Sequence, residues 1–163
     1  MLEREWNIGD KAVYPSHGVG QITAIEQNDL FGHGAMVYVL ELLYSPRRIL
    51  IPIAKASQVG LREVVEAEEA SRILASLRDE PAPSKTMPWT KRQRALLEKL
   101  SSVRLSDVAE VLRELYHLKG VKDLSFGQKR LFDTATALLV GELCVALGRD
   151  VEEIENEIRA IFA

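Results

Sequence analysis

At 163 residues and a formal net charge of −3, the chain has length for one domain or two small ones and lacks the cationic excess that would hold nucleic acid by bulk attraction. Hydrophobic residues at 47% and charged ones at 28% suit a soluble globular protein with core enough to fold without staples. One cysteine, Cys144, excludes an internal disulfide framework or a cysteine-based zinc site, and no run nears the roughly 18 apolar residues that span a bilayer, so a cytoplasmic protein away from membranes is expected.

Met1 to Trp6 carries no apolar signal-peptide core, and Trp6 is expected to pack for the first strand. Up to about Arg62 the pattern is β: short Val-, Ile- and Tyr-rich runs broken by Gly, Pro, Asn and Asp. Strands are predicted over Lys11 to Pro15, Val19 to Gln27, Met36 to Tyr44 and Arg48 to Ile53. Turns fall at His17-Gly18, at Asn28-Asp29 with Gly32 to Gly34, and at Ser45-Pro46. Strands this short have to curl into a small barrel to share a core. His17-Gly18-Val19-Gly20 is glycine-rich but opens a strand, so it lacks the helix dipole that phosphate loops use and reads as a tight turn. In the last strand Ile49, Ile51 and Ile53 alternate with Leu50 and Pro52, making one face apolar. Pro52 has no N–H to give a ladder, which puts this strand at an edge.

From about Glu66 onward the chain reads as helical, interrupted by a stiff connector at Glu80-Pro81-Ala82-Pro83-Ser84. Five helices are predicted, over residues 66–79, 90–102, 106–119, 125–147 and 150–162. Leu96, Leu97 and Leu100, then Val108, Val111, Leu112 and Leu115, then Leu131, Ala135, Leu138 and Leu139 recur at helical spacing and form bundle core, with Cys144 another buried apolar position. Ser125 with Gln128 and Asp150 with Glu153 mark the last two starts, and Thr90 with Gln93 has capping-box spacing. The fold class is therefore α+β and multidomain: a small β-barrel over residues 1–63 and an all-α bundle of about five helices over residues 64–163.

Charge is segregated more than its total suggests. Lys85 to Arg104 holds six basic residues against Glu98 alone, whereas Glu63 to Glu80 and Arg149 to Ala163 carry net charges of −4 and −3. Lys91, Arg92 and Arg94 sit at a helix start, where the backbone already presents about half a positive charge, so they oppose the local field. An external anion relieves that conflict, because free N–H groups with added cations make a phosphate site. Trp89 stands beside them. It is a poor hydrophobic staple, since the residue it would meet is Arg94, and a flat apolar ring next to cations points to stacking or wedging on nucleic acid.

Catalytic chemistry finds little support, and no cofactor or small-molecule substrate is expected. His17, His33 and His117 have no metal-ligand spacing, no nucleophile elbow or P-loop is present, and the carboxylates read as solvated helix surface, leaving only a remote hydrolase or transferase reading through His17.

Ile8-Gly9-Asp10-Lys11-Ala12-Val13-Tyr14-Pro15, His17-Gly18-Val19-Gly20, Ile51-Pro52 and Val59-Gly60-Leu61-Arg62-Glu63, in that order, closely resemble the CarD/CdnL family of bacterial RNA polymerase-binding regulators. Trp89 with Lys91, Arg92 and Arg94, then Ala109 to Tyr116 and Asp123 to Gly127, are similar to the helical half of its CdnL-type members. The chain departs from the family pattern at Tyr44 to Arg48, at Leu50 and at Gly32-His33-Gly34. The first half alone also resembles the polymerase anchor of transcription-repair coupling translocases, but no helicase motif accompanies it.

The resemblance implies a Tudor-like, SH3-like first domain that docks on the polymerase β subunit by adding an edge strand, carried by Arg47, Arg48, Ile49, Leu50, Ile51 and Pro52. It implies a helical domain lying on promoter DNA at the upstream fork junction, with Trp89 in the minor groove and Lys91, Arg92 and Arg94 forming the basic helix. The expected function is non-enzymatic: a monomer that binds polymerase and stabilises the open complex. The alternative is an adaptor on polymerase whose helical half binds another protein, with Trp89 as its hot spot.

Overall fold

A computed structural model describes residues 4–79 and 88–163. The predicted proline connector Glu80 to Ser84, and Lys85 of the basic segment, lie outside these residues. Four strands come first, β1 (Lys11–Tyr14), β2 (Gly18–Gln27), β3 (Met36–Leu42) and β4 (Arg48–Pro52). Five helices follow: α1 (Ala67–Ser76), α2 (Trp89–Leu100), α3 (Leu105–Val121), α4 (Phe126–Leu147) and α5 (Val151–Ile161). The fold is α+β, and the chain divides into two compact units between Val64 and Val65.

In the first unit the strands form an antiparallel meander in the order β1-β2-β3-β4. Opposite Val39 and Leu40, β2 carries an extra residue at Thr23, where the register slips between Ile22 and Ala24. Such a bulge bends its strand and sharpens the twist, which lets one ten-residue strand pair along its length and still wrap a core. That core holds Trp6, Ala12, Ile22, Tyr38, Leu40, Leu42 and Ile51, with Ile49 and Ile53 half-buried against it. Trp6 is fixed twice: its N–H donates to Tyr38 Oη at 3.1 Å, and the Arg4 guanidinium lies 4.0 Å above its ring. Ile53, expected as the end of its strand, instead opens a short 3-10 turn to Lys55 directly after Pro52.

Past the sheet the chain returns to its first strand. Val13 and Arg62 exchange both main-chain hydrogen bonds, at 2.8 and 3.1 Å, so the outer edge of β1 is covered by the unit's own backbone.

The second unit is organised on α4, which packs against all four other helices. Leu131, Ala135, Leu139, Val140, Leu143 and Cys144 enter one core with Leu96 and Leu100 of α2, Val108, Val111, Leu112 and Leu115 of α3, and Ile154 and Ile158 of α5. Ser125 and Gln128 close the start of α4 reciprocally as their spacing predicts. The buried carboxylate of Glu142 accepts the N–H of Val65 at 2.9 Å, fixing the chain just before α1. Among the described residues no single helix is long and apolar enough to cross a membrane.

Gly20 of β2 lies tight against β3. A Cβ there would sit 2.6 Å from the Glu41 carbonyl oxygen and 2.9 Å from Leu40 Cγ, so backbone as well as side chain would have to move. Gly20→Ala should destabilise the first unit by about 1–3 kcal/mol, seen as a lowered denaturation midpoint.

Candidate functional site

Two surfaces carry the residues singled out from sequence, one on each unit. On the first, β4 is an edge strand paired only to β3, with Glu41 opposite Arg48, Leu40 opposite Ile49 and Val39 opposite Leu50. Leu42 donates to the Arg47 carbonyl at 3.1 Å, which sets the alternation. Arg47, Ile49 and Ile51 turn their peptide groups inward to β3, whereas Arg48, Leu50 and Pro52 turn theirs outward. The open edge therefore offers the N–H groups and carbonyls of Arg48 and Leu50, while the Pro52 carbonyl heads the 3-10 turn that follows. Pro52 costs the internal ladder nothing, because the N–H it lacks would have faced outward.

The side chains follow the same period of two. Ile51 is buried and Ile49 half-buried on the core side, Leu50 and Pro52 are half-buried on the opposite face, and Arg47 and Arg48 are exposed. His17, in the β1–β2 turn, stacks on Tyr14 with ring centroids 4.8 Å apart. Partial burial lowers the His17 pKa from its ordinary value, and the nearby Arg47 guanidinium lowers it further.

On the second unit, α2 begins one residue earlier than its sequence suggests. Pro88 is the N-cap, Trp89 is the first helical residue, and the Thr90–Gln93 capping box does not form. The reason is local. Pro88 holds φ near −53°, already suited to the entry of a helix, and Trp89 packs against the bundle core, which draws the helix start forward. Gln93 turns instead toward Gly127 of α4, where a Cβ would lie 3.8 Å from its Nε2. No side chain caps the start of α2 and no acid lies in its first turn.

Trp89 is thus half-buried, seated on the core while leaving part of its surface accessible. Lys91 and Arg94 are exposed, and among the described residues neither has an ion-pair partner. Arg92 differs. It is half-buried and ion-paired with Glu114 of α3, so its charge is answered inside the unit; Lys99 likewise pairs with Glu110 at 3.0 Å. Two ion pairs hold α2 on α3 and leave two cations facing outward. Sequence reasoning missed Glu114 because its 22-residue separation from Arg92 leaves no local spacing to read.

The remaining sequence candidates stand apart from these surfaces. His33 lies in the β2–β3 loop, and His117, on α3, meets Phe162 edge-on at 6.3 Å. Cys144 is buried in α4, and burial raises its thiol pKa. Of the acidic C-terminal run, Glu153 and Glu157 are answered by Arg149 and Glu155 by Arg159.

An edge-bearing sheet followed by a helical unit with a cationic helix start matches two known domain descriptions in chain order. Residues 6–65 match the CarD-like/TRCF RID domain, and residues 72–159 match "CarD, C-terminal domain". The chain belongs to the CarD family, transcription regulators that interact with RNA polymerase. It is 28% identical over 151 residues to the "Putative transcription factor YdeB" of Bacillus subtilis (strain 168), covering 93% of this chain and 98% of that protein.

Because the folded state disfavours protonated His17, the unfolded chain takes up the proton first as pH falls below about 6.5. Stability should therefore decline between neutral pH and the lowered folded-state pKa. Thermal midpoints of wild type and His17→Asn across pH 7.5 to 5 check this, the variant showing a shallower slope in that window.

Proposed function

We propose that this chain is a non-enzymatic regulator that tethers RNA polymerase to melted promoter DNA and lengthens the life of the open complex. The β4 edge, from Arg47 to Pro52, adds to a strand of the polymerase β subunit, where main-chain hydrogen bonds supply affinity with few demands on side-chain identity. The helical unit meets DNA at the upstream fork, with Trp89 against the minor groove and Lys91 and Arg94 on phosphates. Arg92 serves mainly to hold α2 against Glu114 and so to aim its neighbours.

The observation that carries this reading is the start of α2: no side-chain cap, no acid, two outward cations and a seated tryptophan. Docking through β4 raises the effective concentration of this second contact, so each can be weak alone, which accommodates a net charge of −3. The chain acts as a monomer in the cytoplasm, reaching the nucleoid through polymerase.

One observation favours a second reading, in which the helical unit is an adaptor for another protein. With Arg92 paired to Glu114, Lys91 and Arg94 are the outward cations of α2 beside Trp89, a density that an acidic protein surface could also answer. Binding to fork-junction DNA in the presence of polymerase separates the two.

Trp89→Ala should shorten open-complex lifetime about tenfold if the ring contributes about 1.4 kcal/mol, while polymerase binding is retained; an unchanged lifetime rejects the wedge. Leu50→Pro removes an outward N–H and should weaken polymerase capture by tenfold or so, whereas Leu50→Ala should not, since strand addition uses the main chain. Equal behaviour of the two Leu50 variants in pull-down titrations would reject edge addition.

A further inference from the structure

The most exposed aromatic ring among the described residues is Phe126, at 78%. It is the first residue of α4, and it joins neither the bundle core nor the half-buried side chains packed on that core. The α4 start is closed by the Ser125–Gln128 capping box, so its backbone offers no anion site and the side chains must account for any ligand.

The surroundings of Phe126 parallel those of Trp89. Each ring opens a helix, and cations follow within one turn: Lys91 and Arg92 after Trp89, Lys129 and Arg130 after Phe126. The Arg130 guanidinium lies 6.0 Å from the Phe126 ring centroid. The start of α4 also meets a side chain of α2. Gly127, next to Phe126, faces Gln93, which lies one helical turn beyond Trp89 on the same side of α2. At the end of α3, Val121 is 84% exposed and Lys122 follows it. Among the described residues no ion-pair partner answers Lys122, Lys129 or Arg130, although Asp123 and Asp133 lie in the same cleft as Lys129.

An apolar ring held in water beside a guanidinium that has no ion-pair partner among the described residues complements a ligand that has a flat face and negative charge together. Unpaired nucleotides have both, and stacking on them is indifferent to sequence.

We propose that Phe126 is a second stacking residue, taking an unpaired base of the melted strand that Trp89 engages, with Arg130 beside the neighbouring phosphate. This rests on the reading of α2 as the DNA-facing helix and extends it across the α2–α4 junction. The indole seated on the core marks the fork, and the freer phenyl ring beyond it holds a base already released from the duplex.

The test uses the full chain with RNA polymerase holoenzyme and two DNA probes, a fork junction bearing a single-stranded extension and the fully paired duplex. Phe126→Ala should weaken fork-junction binding about five- to tenfold and leave duplex binding nearly unchanged, while Phe126→Trp should retain it. The Phe126 ring lies outside the core, so both Phe126 variants should keep the wild-type thermal midpoint. If Phe126→Ala binds the fork junction like wild type while Trp89→Ala does not, this inference fails and the α2 reading stands. If neither substitution matters, both fail. Loss of polymerase capture by Phe126→Ala without DNA would make the ring a protein contact and would also overturn the proposal.

Discussion

A peptide N–H or C=O left unpaired by folding has to find a partner elsewhere, and in this chain that constraint selects the surfaces. The β unit has two sheet edges. Arg62 returns to exchange hydrogen bonds with Val13 and so closes the β1 edge from within. The β4 edge is left with outward N–H groups at Arg48 and Leu50. In the helical unit the start of α4 is satisfied by its own capping box, whereas the start of α2 has no side-chain cap. The starts of α1, α3 and α5 also lack a side-chain cap but carry acids in their first turns, so among the five helices α2 alone has neither cap nor acid and leaves its N–H groups to solvent or a ligand.

Charge is handled in the same way. The basic segment looks continuous along the sequence, yet folding divides it. Arg92 and Lys99 turn to Glu114 and Glu110 and join α2 to α3, while Lys91 and Arg94 stay outside. The half-buried Arg92–Glu114 pair matters more for where α2 points than for stability, since ion pairs near the surface contribute little net energy. What remains is a small cationic shelf beside a tryptophan whose packing limits how far it can swing. On the proposed reading that geometry suits a contact made only after delivery, because two outward cations give weak attraction to a distant polyanion and more to one held close by.

Both surfaces depend on rigid support beneath them. The edge strand is held in place by Ile51 in the core and by pairing along β3, and β3 in turn requires Gly20, since a Cβ there would press on Leu40 and the Glu41 carbonyl. Trp89 is seated by the same core that α4 organises. Peptide and aromatic contacts presented on fixed elements lose less entropy on binding than they would from loops, which favours two modest interfaces over one large one.

Much of this was legible from residues alone. The four strands, five helices, Ser125–Gln128 cap and most of the bundle core follow from periodicity and local spacing, which act within a few residues and survive without tertiary context; Leu97, expected in the core, is instead exposed on α2 at 47%. Pro52 already marked β4 as an edge. Local rules failed where distant packing competed with them: Thr90 and Gln93 have a capping-box spacing, but Pro88 and the seating of Trp89 start the helix a residue early and send Gln93 toward Gly127. Only the tertiary structure decided that Arg62 covers the β1 edge, that Glu114 claims Arg92, and that Phe126 is left in water beside the α2 start. These outcomes join residues far apart in the chain, and no periodicity records which partner a peptide group or a charge will meet when the elements close on one another.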